Sequence, residues 1–263
     1  MLCAAMVLAG MALGYGQTSV VDGVTFADES DVLFVPIKEV GYAMGWEMRS
    51  EGSHFFVGDR EVSIPRTLID GTRLIPVANL VHLGLTVTPS ENREEFTIEG
   101  DGKQFVVRRG EKRVVINKGT QRLRGYQGDR IVIDTHVSTG RRGFTTPSGN
   151  FTAGPEKARL RHSRKYENAP MPWSVQITGG YFMHGYPSVP KHAASHGCVR
   201  LPLRGANPAR WIWNWIDLGT PITIGNDWGD VEVAQEKSTK ATRDPVSSGT
   251  SSETIPIPSK RKG

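Results

Sequence analysis

The sequence predicts a mainly β protein with one or two helices, preceded by a small α+β domain. The 30 Gly and 16 Pro, at 38% hydrophobic and 22% charged residues, suit strands and turns rather than a helical bundle. Short β-rich runs punctuated by Gly and Asp recur along the chain. A single strongly amphipathic helical stretch lies near residue 210. With 263 residues there is room for two modest domains of roughly 100–150 residues each.

Residues 1–16 read as a signal peptide. Met1 to Gly14 carries no charge and is shorter than a membrane span. Ala12-Leu13-Gly14 supplies the small residues that precede a cleavage site. A buried first strand or helix is the alternative. Cleavage would remove Cys3 and leave Cys198 as the one thiol, either reactive or buried and inert. The expected location is exported, in the periplasm or cell wall, with no transmembrane segment after cleavage.

Residues 20–102 form the α+β unit. Val21-Asp22-Gly23-Val24 and Asp70 to Pro76 look like turns feeding short strands. Helical stretches follow at Ile37–Met44 and Val77–Leu83, stopped by Gly45 and Gly84. Extended structure resumes after each. The two copies, about forty residues apart, suggest an internal repeat. Phe34-Val35-Pro36, Leu74-Ile75-Pro76-Val77 and the Gly-ended helices resemble the N-terminal stalk domain named after copper amine oxidases. That resemblance implies a binding or spacer module and no copper. His54 and His82 are isolated from each other and from any Cys, so they read as structural or surface residues.

Residues 103–225 change pattern. Arg113–Asn117, Gln121–Tyr126 and Arg130–Asp134 read as consecutive antiparallel strands, with a turn at Gly128-Asp129. Thr145 to Asn150 is a Pro/Gly turn before a strand near Phe151. Asn207 caps the late helix, Pro208 takes its first position and Gly219 stops it. Its Trp211, Ile212, Trp215 and Ile216 stripe reads as core. Pro221–Ile224 supplies a closing strand. The tail, 226–263, is polar and poor in aromatics and reads as disordered.

The chemistry concentrates in Phe182-Met183-His184-Gly185, His192 and Ser195-His196-Gly197-Cys198-Val199-Arg200. A thiol becomes a nucleophile when a nearby base or positive field favours the thiolate. His184, fourteen residues upstream, can face Cys198 across a hairpin-like connection. Gly197 permits close backbone approach, and consecutive amides at such a turn can stabilise an oxyanion. These residues point to acyl transfer.

His184-Gly185 followed by Ser195 to Arg200 resembles the signature of the L,D-transpeptidase catalytic (YkuD-type) domain. Ser138-Thr139-Gly140, Thr146 to Gly149, Ala169 to Pro172 and Gly219 to Ile224 fall in the family's order. The resemblance implies an L,D-transpeptidase-like β-sandwich with Cys198 in a groove. It implies a cysteine acyl-enzyme formed on peptidoglycan stem peptides and passed to an amine, giving 3→3 cross-links or attaching a protein to the stems. His184 would be the base, oriented by the Gly185 carbonyl. Amides around His196, Gly197 and Cys198 would hold the oxyanion, and Arg200 would meet a substrate carboxylate. Gly179 and Gly180 would line the donor groove, with Met171 and Trp173 as wall residues. No cofactor and no metal are implied, and the enzyme is expected to act as a monomer.

Alternatives remain at this level. Water as acceptor would make an L,D-carboxypeptidase. His184, His192, His196 and Cys198 are acceptable zinc ligands, although no His-Glu-x-x-His helix is present. A non-catalytic wall-binding protein is the third. Arg200 can instead pair with a structural acid, and the basic run of Lys157, Arg159, Arg161, Arg164 and Lys165 can steer anionic wall stems or be a solvated loop. The net charge of +5 and pI near 9.3 favour anionic surroundings. Export and the absence of a binding motif disfavour nucleic acid.

Overall fold

Two hydrophobic cores share one sheet as their common wall. The computed structural model describes residues 19–229. The expected signal peptide lies outside the described residues, as does the expected tail apart from 226–229. In the first unit, strands β1 (Ser19–Phe26) and β2 (Glu29–Pro36) lead into helix α1 (Ile37–Met44). There follow β3 (Met48–Glu51), β4 (His54–Val57), β5 (Arg60–Glu61), β6 (Arg66–Thr67) and β7 (Arg73–Pro76). A 3-10 helix (Val77–Leu83) then precedes β8 (Thr86–Pro89), β9 (Glu95–Gly100) and β10 (Lys103–Arg109). The main sheet runs β6-β7-β2-β1-β10-β9-β8, and β3-β4-β5 form a separate sheet.

The predicted repeat is present. α1 and the 3-10 helix start forty residues apart, and both end on left-handed glycines, Gly45 at φ 69° and Gly84 at φ 88°. The second copy is the tighter helix type. Val21 to Val24 is no turn, because β1 runs straight through it, paired in parallel to β10 and antiparallel to β2. Residues 103–109 also belong to this sheet, so the change of sheet falls after Arg109 rather than after 102.

The second unit has a five-stranded sheet, β13-β12-β11-β19-β14, and a four-stranded sheet, β15-β16-β17-β18. The first contains β11 (Lys112–Asn117), β12 (Arg122–Gln127), β13 (Arg130–His136), β14 (Gly149–Thr152) and β19 (Pro221–Gly225). The second contains β15 (Lys157–His162), β16 (Pro170–Thr178), β17 (Tyr181–Tyr186) and β18 (Val199–Pro202). The expected meander β11-β12-β13 is antiparallel, and β19 lies in parallel beside β11 with β14 antiparallel on its other edge. Ile116, Leu123 and Ile133 of one sheet share a core with Val175, Met183 and Leu201 of the other. The result is the mainly β sandwich that the sequence predicts.

Helix α2 (Pro208–Trp215) is capped by Asn207, whose side chain accepts from the Arg210 amide at 3.1 Å, with Pro208 at its first position. It ends at Ile216, and Gly219 lies in the following turn rather than at the helix stop. No described helix is long and apolar enough to cross a membrane.

Alternation along β2 and β7 explains the shared wall. Leu33, Val35 and Ile75 pack in the first unit's core, while Phe34 and Leu74 join the core of the second. Successive strand residues face opposite sides. Phe26 meets Trp211 of α2 edge-on at 5.7 Å, and the Trp211 indole donates to the Thr67 carbonyl at 3.0 Å. Gln127, 1% exposed, accepts from the Thr25 amide and the Trp215 indole and donates to the Thr25 hydroxyl. Arg130 forks onto Glu39 through two contacts of 2.6 Å. The first unit thus braces the second through α2 and β12, unlike a tethered stalk.

Candidate active site

Strands β17 and β18 pair in parallel, with Met183 beside Val199 and His184 beside Arg200. The connection between them is therefore a crossover, not the hairpin-like link expected. Side chains two apart on a strand share a face, which brings Cys198, Arg200, His184 and Tyr186 to one groove of about 760 Å³. α2 packs beneath this sheet. A Cβ on Gly185 would lie 2.3 Å from the Leu203 side chain and 3.1 Å from Ala209, so a larger residue there would force Leu203 to shift.

His184 is buried. Its Nδ1 lies 2.9 Å from the Gly185 carbonyl, and a carbonyl only accepts, so Nδ1 carries the proton and Nε2 keeps its lone pair. Burial pulls its pKa down to about 4, the Gly185 hydrogen bond opposes this and the Arg200 charge adds to it. Cys198 is a free, half-buried thiol with Sγ 3.9 Å from the Gly180 carbonyl. Burial pushes its pKa up, and a Phe182 backbone hydrogen bond with the Arg200 and Arg161 charges opposes that without prevailing. At neutral pH the pair therefore rests as thiol and neutral imidazole.

The thiol turn is tightly fixed. Gly197 takes φ 117°, and a Cβ there would meet the Tyr181 ring at 2.8 Å. Its amide donates to Ser195 Oγ at 3.0 Å, and that hydroxyl donates to the Cys198 carbonyl. The Gly197 amide, expected to face an oxyanion, is thus already engaged. Among the described residues the Cys198 amide has no such partner.

His196 lines the groove at its rim. Its ring sits between Phe144 and Tyr166, centroids 4.9 and 4.6 Å away, and its Nε2 lies 2.8 Å from Arg141. An arginine only donates, so Nε2 accepts there and is not available as a base. Loss of solvent and the charges of Arg141, Arg200 and Lys165 hold its pKa low.

Gly180 and Met171 line the groove. Gly179 does not; it turns the β16–β17 hairpin at φ 48° and accepts from Gln176. Trp173 is not a groove wall either. Its ring packs against Trp213 at 5.5 Å, next to the core. Arg200 stacks over Tyr186 at 4.0 Å and makes no ion pair among the described residues. His184, His192, His196 and Cys198 form no metal-binding group; no three His, Cys, Asp or Glu side chains converge so among the described residues.

Of the basic run noted in the sequence, Arg161, Arg164 and Lys165 line the groove, and sequence reasoning missed the aromatic rim residues Tyr166 and Tyr181 beside them. The spacing of the two tyrosines carries no signal, since the β15–β16 hairpin delivers one and β17 the other.

Residues 111–224 match the family model of the L,D-transpeptidase catalytic domain, YkuD. This segment is an L,D-transpeptidase catalytic domain. It occupies less than half of the chain. The L,D-transpeptidase of Stackebrandtia nassauensis is similar at 24% identity, over 45% of this chain and 58% of that one, with a TM-score of 0.40. That of Xylanimonas cellulosilytica is 29% identical over 44% and 61%, with a TM-score of 0.40. One from Mycobacterium smegmatis is 15% identical over 81% and 96%, with a TM-score of 0.39. The chain thus spans about three fifths of the first two. A comparison with curated proteins returns no match. The transpeptidase domain begins just after β10 and includes all the groove residues named above.

Proposed function

We propose that the chain is an exported cysteine acyltransferase acting on peptidoglycan stem peptides, an L,D-transpeptidase with Cys198 as nucleophile. The observation that carries this reading is that Cys198 and His184 line one groove, with His184 Nδ1 held by the Gly185 carbonyl so that Nε2 is the basic nitrogen. His184 takes the thiol proton as Sγ attacks the carbonyl of the stem's third residue. The tetrahedral oxyanion collapses to a thioester. The C–N bond breaks and the terminal D-alanine leaves with the proton from His184. An amine of a second stem then attacks the thioester, gives its proton to His184, and the thiol is restored. The product is a 3→3 amide bond. The cationic rim of Arg161, Arg164, Lys165 and Arg200, against Glu167 as the one acid lining the groove, suits a donor bearing carboxylates.

The test is incubation with tetrapeptide-bearing muropeptides followed by mass spectrometry. Wild-type protein is expected to yield 3→3-linked dimers, and Cys198→Ser none. Tripeptides without dimers would assign hydrolysis instead. Identical products from both proteins would overturn the mechanism.

A further inference from the structure

Thr146 lies outside the groove, completely buried, yet its hydroxyl touches the turn that bears the nucleophile. Oγ1 accepts from the Gly140 amide at 2.8 Å, and it lies 2.7 Å from the Gly197 carbonyl. The Gly140 N–H has only a donor role, so the hydroxyl proton must go to Gly197. That fixes the direction of both bonds. The Gly197 carbonyl and the Cys198 N–H belong to one trans peptide plane and point to opposite sides of it. Holding the carbonyl toward the buried Thr146 holds the Cys198 N–H the other way. Ser195 meanwhile occupies the Gly197 amide, which leaves the Cys198 amide as the unengaged donor at this turn.

We propose that Thr146 is a positioning residue that locks the Gly197–Cys198 peptide so that the Cys198 amide meets the developing oxyanion. This rests on the acyl-enzyme reading above. A preset donor needs no reorganisation during reaction, which is where oxyanion stabilisation gains its size. A peptide free to rock about Gly197, itself without a side chain to hold it, would lose that advantage. The serine of the thiol motif sets one side of the turn and Thr146, fifty-one residues before Gly197, sets the other.

Two reactions of the same thiol separate this role from general support. A carbapenem acylates by forming a sulfur–carbonyl bond through an oxyanion, the lactam C–N bond breaking and the thiol proton ending on that nitrogen. Iodoacetamide alkylates by displacing iodide, the thiol proton passing to solvent, with no oxyanion. Thr146→Val is expected to slow acylation about tenfold to a hundredfold, below the ~10²–10³ for outright loss of an oxyanion donor. Its alkylation rate should stay within about twofold of wild type, and Thr146→Ser should restore acylation. Should the valine variant not fold, Thr146→Ala, with space for a water beside the two peptide groups, carries the same comparison. Equal acylation in wild type and variant, a parallel fall of both rates, or no rescue by serine overturns the assignment of Thr146 alone. A wild-type protein that neither acylates nor converts muropeptides overturns the acyl-enzyme reading, and this inference with it.

Discussion

His184 shows how one buried contact sets chemistry. Its pKa near 4 lies below that of an ordinary histidine, so the imidazole stays unprotonated as pH falls from 7 to about 5 and gains its proton only around 4. Acylation of Cys198 should therefore keep its rate down to about pH 5 and be lost through pH 4. An acid limb centred near 6.5, read from carbapenem acylation against pH, would refute the buried-base picture. The raised Cys198 pKa adds that alkylation should climb through the alkaline range rather than level off at neutrality, since only the thiolate reacts. At the same scale His196 is the instructive contrast. Two residues from the thiol, it has spent its free nitrogen on Arg141, and no reading of the string alone separates it from His184 by geometry.

Among the elements, helix α2 was the most legible. Asn207, Pro208 and the apolar stripe from Trp211 to Ile216 announce it, and only its end differs, at Ile216 instead of Gly219. Lys112 and Lys157 explain the earlier stop. Their ammonium groups take the Trp215 and Ile216 carbonyls at 2.6 and 2.8 Å, satisfying the C-terminal acceptors and complementing the helix dipole. Asn207 itself sits at φ 49°, where asparagine and glycine are tolerated and alanine is strained. Asn207→Ala should cost about 1–2 kcal/mol in denaturant unfolding and Asn207→Gly distinctly less. Equal costs would mean that the cap's conformation is irrelevant. The β17–β18 pair was less legible: two short apolar runs twelve residues apart do not say whether they pair parallel or antiparallel, because the crossover between them leaves no periodic signal.

Across the whole molecule the unexpected feature is the sheet that serves two cores. Gln127 is its polar pin, and its loss would leave the Thr25 amide and the Trp215 indole buried without partners. Gln127→Leu should destabilise by about 1–3 kcal/mol for each unsatisfied group. The shared wall also predicts that β1–β2 and α2 lose hydrogen-exchange protection together, in one cooperative step. Separate unfolding of residues 19–109 ahead of the transpeptidase domain would show the first unit to be an independent spacer after all. The same wall gives the first unit a role in supporting the floor of the groove, since α2 lies between it and the His184 strand.

The sequence by itself determined the strand-rich class, the repeat with its Gly-ended helices, the capped Trp helix and the thiol motif with its nearby histidine. These are local matters: turn chemistry, side-chain period and residue type act within a few positions. Tertiary structure alone decided which histidine keeps a free nitrogen, that the Gly197 amide is already taken, and that Trp173 belongs beside the core. It also decided that β2 and β7 bury both faces. Each depends on partners tens of residues away, brought together by sheet pairing that hydrophobic pattern permits but does not specify.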